Sequence, residues 1–443
     1  MLNTLNKYKS YLKELITLAL PLFIGNLGHT LIGATDVLVV GHYNIDSLAS
    51  ISIANSIIFT VFIFGIGIIC AVSIILSNMR GANKRIKKYL PSTLIFSFIL
   101  SVIFTVICYA CAYLIPYMGF EENLVPYIME YTKIVAFSMF GIFFYEGIKQ
   151  FLQAYEIVSF PNILAIIMVF VNLILDIVFV FGCGFIPSMG SKGAGIATLS
   201  VRTLMGIIMF LYIMRFINRK EKFDISYALH TIKIGTSIGI ALTLEFLAFN
   251  IITVLIGRIS GIYSAVHSIL ITISSATYMV PMAVSTALSV KVAYYFGADK
   301  PDEIKKYSYT ALTFVLSFMC LIALTLAVFP EQILKIFTNE HRVIEIALPI
   351  ISIVAVYQIF DGFQSIMGAI LRGFKMTKAS SFCVLTGYWL IGAPVAYFCV
   401  HNYNMELRGY WIALAVSLCT MGFFAGAIAK WKYKNIQTLV VQK

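Results

Sequence analysis

Ala71, Ser73, Gly81, Ala82 and Lys84 recur 216 residues later as Ala287, Ser289, Gly297, Ala298 and Lys300. Carried backwards, the same offset sets Gly41 against Gly257, Ala49 against Ala265, Ser52 against Ser268 and Ile57 against Ile273, with no insertion between them. After a slip of two residues, Ile86-Lys-Lys-Tyr89 answers Ile304-Lys-Lys-Tyr307. A repeat this long, in a chain of long apolar runs, implies two similar halves that each span a membrane.

Composition supports a bilayer as the solvent. The chain is 60% hydrophobic and only 12% charged, and its mean hydropathy is +0.92, so it has too few charges to solvate a globule of its length. At roughly 20 apolar residues per span, twelve helices are expected, near 14–40, 47–77, 91–116, 128–152, 160–183, 194–217, 230–257, 262–296, 307–330, 343–368, 379–400 and 408–430. The basic start (Lys7, Lys9, Lys13) resembles a signal n-region, but the apolar stretch runs on to Val40, far longer than a secretory h-region. It reads as a retained first span.

The net charge of +12 does not point to nucleic acid, because the basic residues sit in short loops between apolar segments. Arg80, Lys84, Arg85, Lys87 and Lys88 follow the second span, whereas the opposite loops carry only Lys192, Arg258, Lys335, Arg342 and Arg408. The positive-inside rule then puts both termini in the cytoplasm. Six helices per half make the halves parallel: an N-lobe over 1–218, a C-lobe over 230–443, and between them a charged linker at 219–229 placed where a rocking hinge would be needed. The eight cysteines are scattered through apolar segments. Cys108 and Cys111 form a CxxC inside a span, which reads as small buried hydrophobes rather than a redox or metal motif.

Charges at bilayer depth each cost about 2.5–3.5 kcal/mol on insertion scales, so each asks for a reason. In the first half, Asn172 and Asp176 are spaced i,i+4, and His29 and Asp36 i,i+7, so each pair shares a helix face. Asp36, Asn172, Asp176 and Thr198 offer hard oxygen ligands for an alkali cation, and the same carboxylates suit a proton carrier. The bland reading is a hydrogen-bonded helix clamp with Arg202 neutralising Asp36 or Asp176. Glu146 and Lys149 read as a pair that snorkels, and Lys291 as a lysine reaching lipid phosphate. The second half offers Glu245, His267, Tyr357, Gln358 and Asp361; Glu245 stands 216 residues from His29, whereas Asp36 faces Ile252. Tyr278, Met279, Met282 and Tyr357 are the softer candidates for an adaptable ligand cavity, together with His29 and Gln358.

These residues resemble the multidrug and toxic compound extrusion (MATE) transporters of bacterial type, within a wider group that includes lipid and oligosaccharide flippases. The resemblance rests on Ala34-Thr-Asp-Val-Leu-Val-Val-Gly41, the paired Gly81-Ala-Asn and Gly297-Ala-Asp loops, Asn172-Leu-Ile-Leu-Asp176, Gly193-Ala-Gly-Ile-Ala-Thr198, Glu245, Tyr357-Gln-Ile-Phe-Asp361 and Leu371-Arg-Gly373. It implies an all-α integral membrane protein: twelve transmembrane helices in two pseudo-symmetric six-helix lobes, arranged as a V, in a bacterial inner membrane. It also implies export of an organic, often cationic, compound in exchange for Na⁺ or H⁺, with no other cofactor. On that resemblance a first cation or proton site falls on Asp36, Asn172, Asp176 and Thr198, and a second on Glu245 and Asp361 with Tyr357 nearby. The expected partners are the organic substrate, the coupling ion and the bilayer, and the expected state is a monomer. Two departures stand out: Leu152-Gln-Ala-Tyr-Glu-Ile-Val-Ser-Phe-Pro161 replaces the usual turn, and Ser237 replaces a proline whose counterpart, Pro21, is kept. A flippase of lipid-linked or peptide-like substrates is the near alternative, and would want a more cationic cavity. An intramembrane enzyme is disfavoured, since neither HExxH nor GxSxG occurs.

Overall fold

A computed structural model describes residues 2–216 and 221–441. Arg219, Lys220 and Lys443, and with them part of the expected 219–229 linker, lie outside the described residues, as does the side chain of Lys7. Among the described residues the fold is helical throughout, without strands, and twelve helices are long and apolar enough to cross a membrane. We number them α1 (Leu2–Gly41), α2 (Ile45–Gly81), α3 (Leu90–Ala112), α4 (Val125–Ala154), α5 (Ser159–Phe181), α6 (Ser191–Met214), α7 (Ile225–Ile259), α8 (Gly261–Gly297), α9 (Pro301–Val328), α10 (His341–Gly373), α11 (Thr377–Asn402) and α12 (Glu406–Val441). Helices win because hydrocarbon offers no partner for backbone N–H and C=O groups, so each segment must satisfy its own.

The repeat is visible in the helix ends. α2 and α8 stop at Gly81 and Gly297, and Asn83 (φ 56°) and Asp299 (φ 53°) then take left-handed backbone. The same closing bond follows in each, Lys84 N to Met79 O at 2.9 Å and Lys300 N to Tyr295 O at 3.0 Å. This wraps free carbonyls at a helix C-terminus, and Asn and Asp tolerate the left-handed region better than most residues. The unusual turn after α4 also keeps its geometry. Glu156 (φ 65°) and Lys375 (φ 59°) turn left-handed, and Ile157 N to Leu152 O (3.0 Å) matches Met376 N to Leu371 O (2.9 Å).

The chain forms two compact units, one of residues 21–80 and 84–239, the other of 1–20, 81–83 and 240–443. Compactness therefore divides the chain inside α1, at Pro21, and inside α7, after Gly239, whereas the lobes expected at 1–218 and 230–443 divide the sequence. In the first unit, α4 packs between α3 and α6, and α5 packs on α6. α4 and α6 meet backbone to backbone: a Cβ on Gly141 would sit 2.2 Å from Arg202 O, so only glycine permits the approach. In the second unit, α10 packs against α8, α9 and α12, around a core that includes Trp411, Tyr357 and Leu270. α11 departs from α-helical winding at Leu385–Gly392 and Phe398–Asn402, where it widens into π-helix, a form common near functional sites.

Candidate functional site

In the first unit, three helices aim polar side chains at Asp36, which is 2% exposed on α1. Thr198 Oγ1 on α6 donates to Asp36 Oδ2 at 2.7 Å, and Asn172 Nδ2 on α5 donates to Asp36 Oδ1 at 2.8 Å. One turn along α5, Asp176 Oδ2 lies 2.5 Å from the same amide nitrogen, and Thr35 Oγ1 lies 3.2 Å from it. Tyr131 Oη on α4 reaches Asp36 Oδ2 at 3.3 Å and Asn55 Oδ1 on α2 at 3.2 Å. Asp36, Asn172, Asp176 and Thr198, chosen from the sequence, are thus brought together; Tyr131 and Asn55 complete the set.

The cluster has more acceptors than donors. Asn172 brings two amide hydrogens to three oxygens, and Thr198 and Tyr131 bring one hydrogen each. Asp176 Oδ1 and Asn172 Oδ1 are buried with no hydrogen-bond partner. Buried polar atoms are nearly always satisfied, and two carboxylates sharing one amide in a low-dielectric site need a positive charge between them. A proton or a small cation would supply it. Arg202 acts on Asp36 only at longer range: Nη1 donates to Ser138 Oγ at 3.0 Å, and the guanidinium sits 5.8 Å from the Phe62 ring centre. Among the described residues no ion pair joins it to Asp36 or Asp176.

Three readings of charged residues need correcting or refining. Glu146 and Lys149 do pair, at 3.0 Å, but neither snorkels, since each is 6% exposed. His29, a candidate for the ligand cavity, stands over this pair, its Nε2 3.3 Å from Glu146 Oε1 and its ring edge-on to Tyr145. Lys291 does not reach for lipid either: it is 6% exposed and pairs at 3.2 Å with Glu14 of α1, which also accepts a hydrogen bond from Tyr307. For both lysines a carboxylate partner removed the reason to extend to the interface.

In the second unit, Glu245 (α7), Tyr278 (α8), Tyr357 and Asp361 (both α10) line one cavity of about 340 Å³. Phe246, Phe249, Asn250, Thr253, Ile271, Ser274 and Ser275 complete its wall. Its acids are lightly bonded. Tyr388 Oη approaches Glu245 Oε1 at 3.4 Å, and Gln364 Nε2 approaches Asp361 Oδ1 at 3.3 Å. Tyr388 comes from the π-helical stretch of α11, and its neighbour Trp389 ties that stretch to α7 through Leu244 O at 3.3 Å. Of the softer candidates, Met279 and Met282 are half-buried outside this wall, and Gln358 is fully buried with neither amide atom partnered.

Comparison with known proteins bears on the whole chain. A family model, MatE, matches residues 21–178 and 237–398, two stretches that begin 216 residues apart. Multidrug resistance protein NorM of Photobacterium profundum is 27% identical over 96% of this chain and 97% of its own. Multidrug resistance protein MdtK of Yersinia enterocolitica is 24% identical, covering 99% of each. Among solved structures, the bent form of the Vibrio cholerae MATE transporter VcmN superposes with a TM-score of 0.88 at 19% identity, over 98% of this chain and 99% of that one. The eukaryotic MATE transporter AtDTX14 superposes at 0.84, also at 19% identity, over 98% of this chain and 99% of its own.

Proposed function

The chain belongs to the MatE family, and on that premise we propose that it is a secondary antiporter, exporting organic cationic or amphipathic compounds in exchange for Na⁺ or H⁺ by alternating access. The observation that carries this reading is the acceptor surplus around Asp36: two buried, unpartnered oxygens beside two carboxylates at bilayer depth. Such a cluster has different affinity for a cation in states that open or close it, and that difference is what coupling requires, because equal affinity in both states shifts nothing.

The substrate end of the proposal rests on the second unit. Its cavity is within the ~300–1,000 Å³ usual for small-molecule sites and combines two acids with four aromatic rings, Phe246, Phe249, Tyr278 and Tyr357. Carboxylates and ring faces suit an organic cation. A coupling ion that neutralises Glu245 and Asp361 weakens that attraction and releases the substrate. The names of the NorM and MdtK relatives support drug-like compounds as the class. The basic loops support cytoplasmic termini, and two polar clusters each complete within one chain support action as a monomer. A flippase for phosphate-bearing lipids is less well supported, since acids line the cavity. The test is efflux of a fluorescent organic cation from proteoliposomes holding only this protein. Efflux accelerated by an inward Na⁺ or proton gradient is expected; efflux indifferent to both defeats the proposal.

A further inference from the structure

The cavity of the second unit is graded along α7. At one end Asp361 is 5% exposed and Glu245 half-buried; eight residues on, about 12 Å along the helix, Thr253 is exposed, with Asn250 half-buried between them. Both intermediate side chains turn hydrogens back onto their own helix. Asn250 Nδ2 donates to Phe246 O at 2.8 Å, and Thr253 Oγ1 donates to Phe249 O at 2.9 Å. A threonine hydroxyl has a single hydrogen. With that hydrogen placed on Phe249 O, the 3.1 Å contact from Thr253 Oγ1 to His267 Nε2 takes its hydrogen from the His267 tautomer protonated at Nε2. One lone pair of Thr253 and the amide oxygen of Asn250 are left for the cavity. Across from them Ser274, 4% exposed, lines the same cavity with its hydroxyl unpartnered.

Resting on the antiport reading above, we propose that Asn250, Thr253 and Ser274 form an oxygen ladder that passes a monovalent cation between the mouth of the cavity and the Glu245–Asp361 pair. His267 is its positioning residue. Buried to 1% and wedged against the Trp411 ring, which in turn abuts Tyr357, His267 fixes the Thr253 hydroxyl so that only an acceptor faces the path. Such a path passes Na⁺ from oxygen to oxygen or holds a water file for a proton.

The experiment is gradient-driven efflux of ethidium from proteoliposomes, titrated with Na⁺ at equal pH and, separately, with a pH gradient in the absence of Na⁺. The arm that responds in the wild type identifies the ion. Thr253→Val is expected to raise the half-saturating ion level about threefold to tenfold, the worth of one hydrogen-bonding oxygen, while the maximal rate at saturating ion is kept. Thr253→Ser is expected to restore it. His267→Leu shifts the half-saturation in the same direction, and His267→Gln, which keeps an N–H donor, recovers most of it. Wild-type titrations in both Thr253→Val and Asn250→Leu, or lowered maximal rates at unchanged half-saturation, overturn the ladder. If Asp361→Asn shifts the ion half-saturation in those same assays, the antiport reading survives that outcome; if Asp361→Asn titrates as the wild type does, the coupling role of the second unit falls, and the ladder with it.

Discussion

Asp36 takes hydrogen bonds from side chains on three other helices, the shortest 2.7 Å, in a cluster where every member chosen from the sequence is at most 2% exposed. Glu245 and Asp361 each have one longer contact, 3.4 and 3.3 Å, and both face a cavity of about 340 Å³. These two clusters stand on a duplicated scaffold whose helix ends close with the same backbone bonds, and they differ in their side chains and in the π-helical stretch of α11 that brings Tyr388 to Glu245. On the proposed antiport reading, the closed, acceptor-rich cluster is suited to one small positive charge, and the open, lightly bonded pair of acids to exchanging what it holds. The comparison teaches that duplication supplied the frame, and that the two halves carry different chemistry at the positions where the repeat fails, Asp36 against Ile252 and His29 against Glu245.

Substitutions in the closed cluster should therefore cost more than those in the open one. The largest effect is expected for Asp36→Asn, which removes the charge that all three donors point to. Loss of one partner in a buried ionic network costs about 3–5 kcal/mol, so affinity for the coupling ion should fall by roughly a hundredfold or more, read by ion-dependent efflux on protein that still elutes as a folded species. Thr198→Val leaves Asp36 Oδ2 with only the longer bond from Tyr131. One hydrogen bond to a charged group is worth about 1.5–3 kcal/mol, so a loss of roughly tenfold or more is expected in the same assay. Asp361→Asn faces a cavity that accommodates water, and its cost in ion affinity should stay near tenfold or below, with the greater change in substrate affinity, measured by quenching of a bound fluorescent cation. Tyr388→Phe removes a contact at the limit of hydrogen-bond length; about twofold or less is expected in substrate affinity. An Asp361→Asn effect on ion affinity larger than that of Asp36→Asn would reverse the assignment of closed and open roles.

Much of this was legible in the sequence because charge inside an apolar run is expensive and therefore conspicuous. Asn172 and Asp176, one turn apart, announced a shared face, and all twelve spans were found, with α1 starting well before its expected first residue and α12 running well past its expected last one. Tyr131 and Asn55 were not legible, since a tyrosine or an asparagine on a mostly apolar helix costs little and carries no pattern. The lysines misled for a different reason. Glu14 stands 277 residues from Lys291 in the chain, and no local spacing reveals such a partner, so snorkelling was the natural reading. Tyr388 was hidden by geometry: the π-helical winding of α11 changes the angular step per residue, so a 3.6-residue period points the wrong side chains at α7.

The most direct measurement of the central claim is simultaneous. Substrate efflux and cation entry, radioactive sodium in one set and a lumenal pH dye in another, are followed in the same proteoliposomes for the wild type and Asp36→Asn. The account predicts that one cation enters in fixed proportion to substrate leaving the wild-type vesicles, and that this proportion collapses in Asp36→Asn. Substrate efflux at full rate with neither sodium nor protons entering would contradict it.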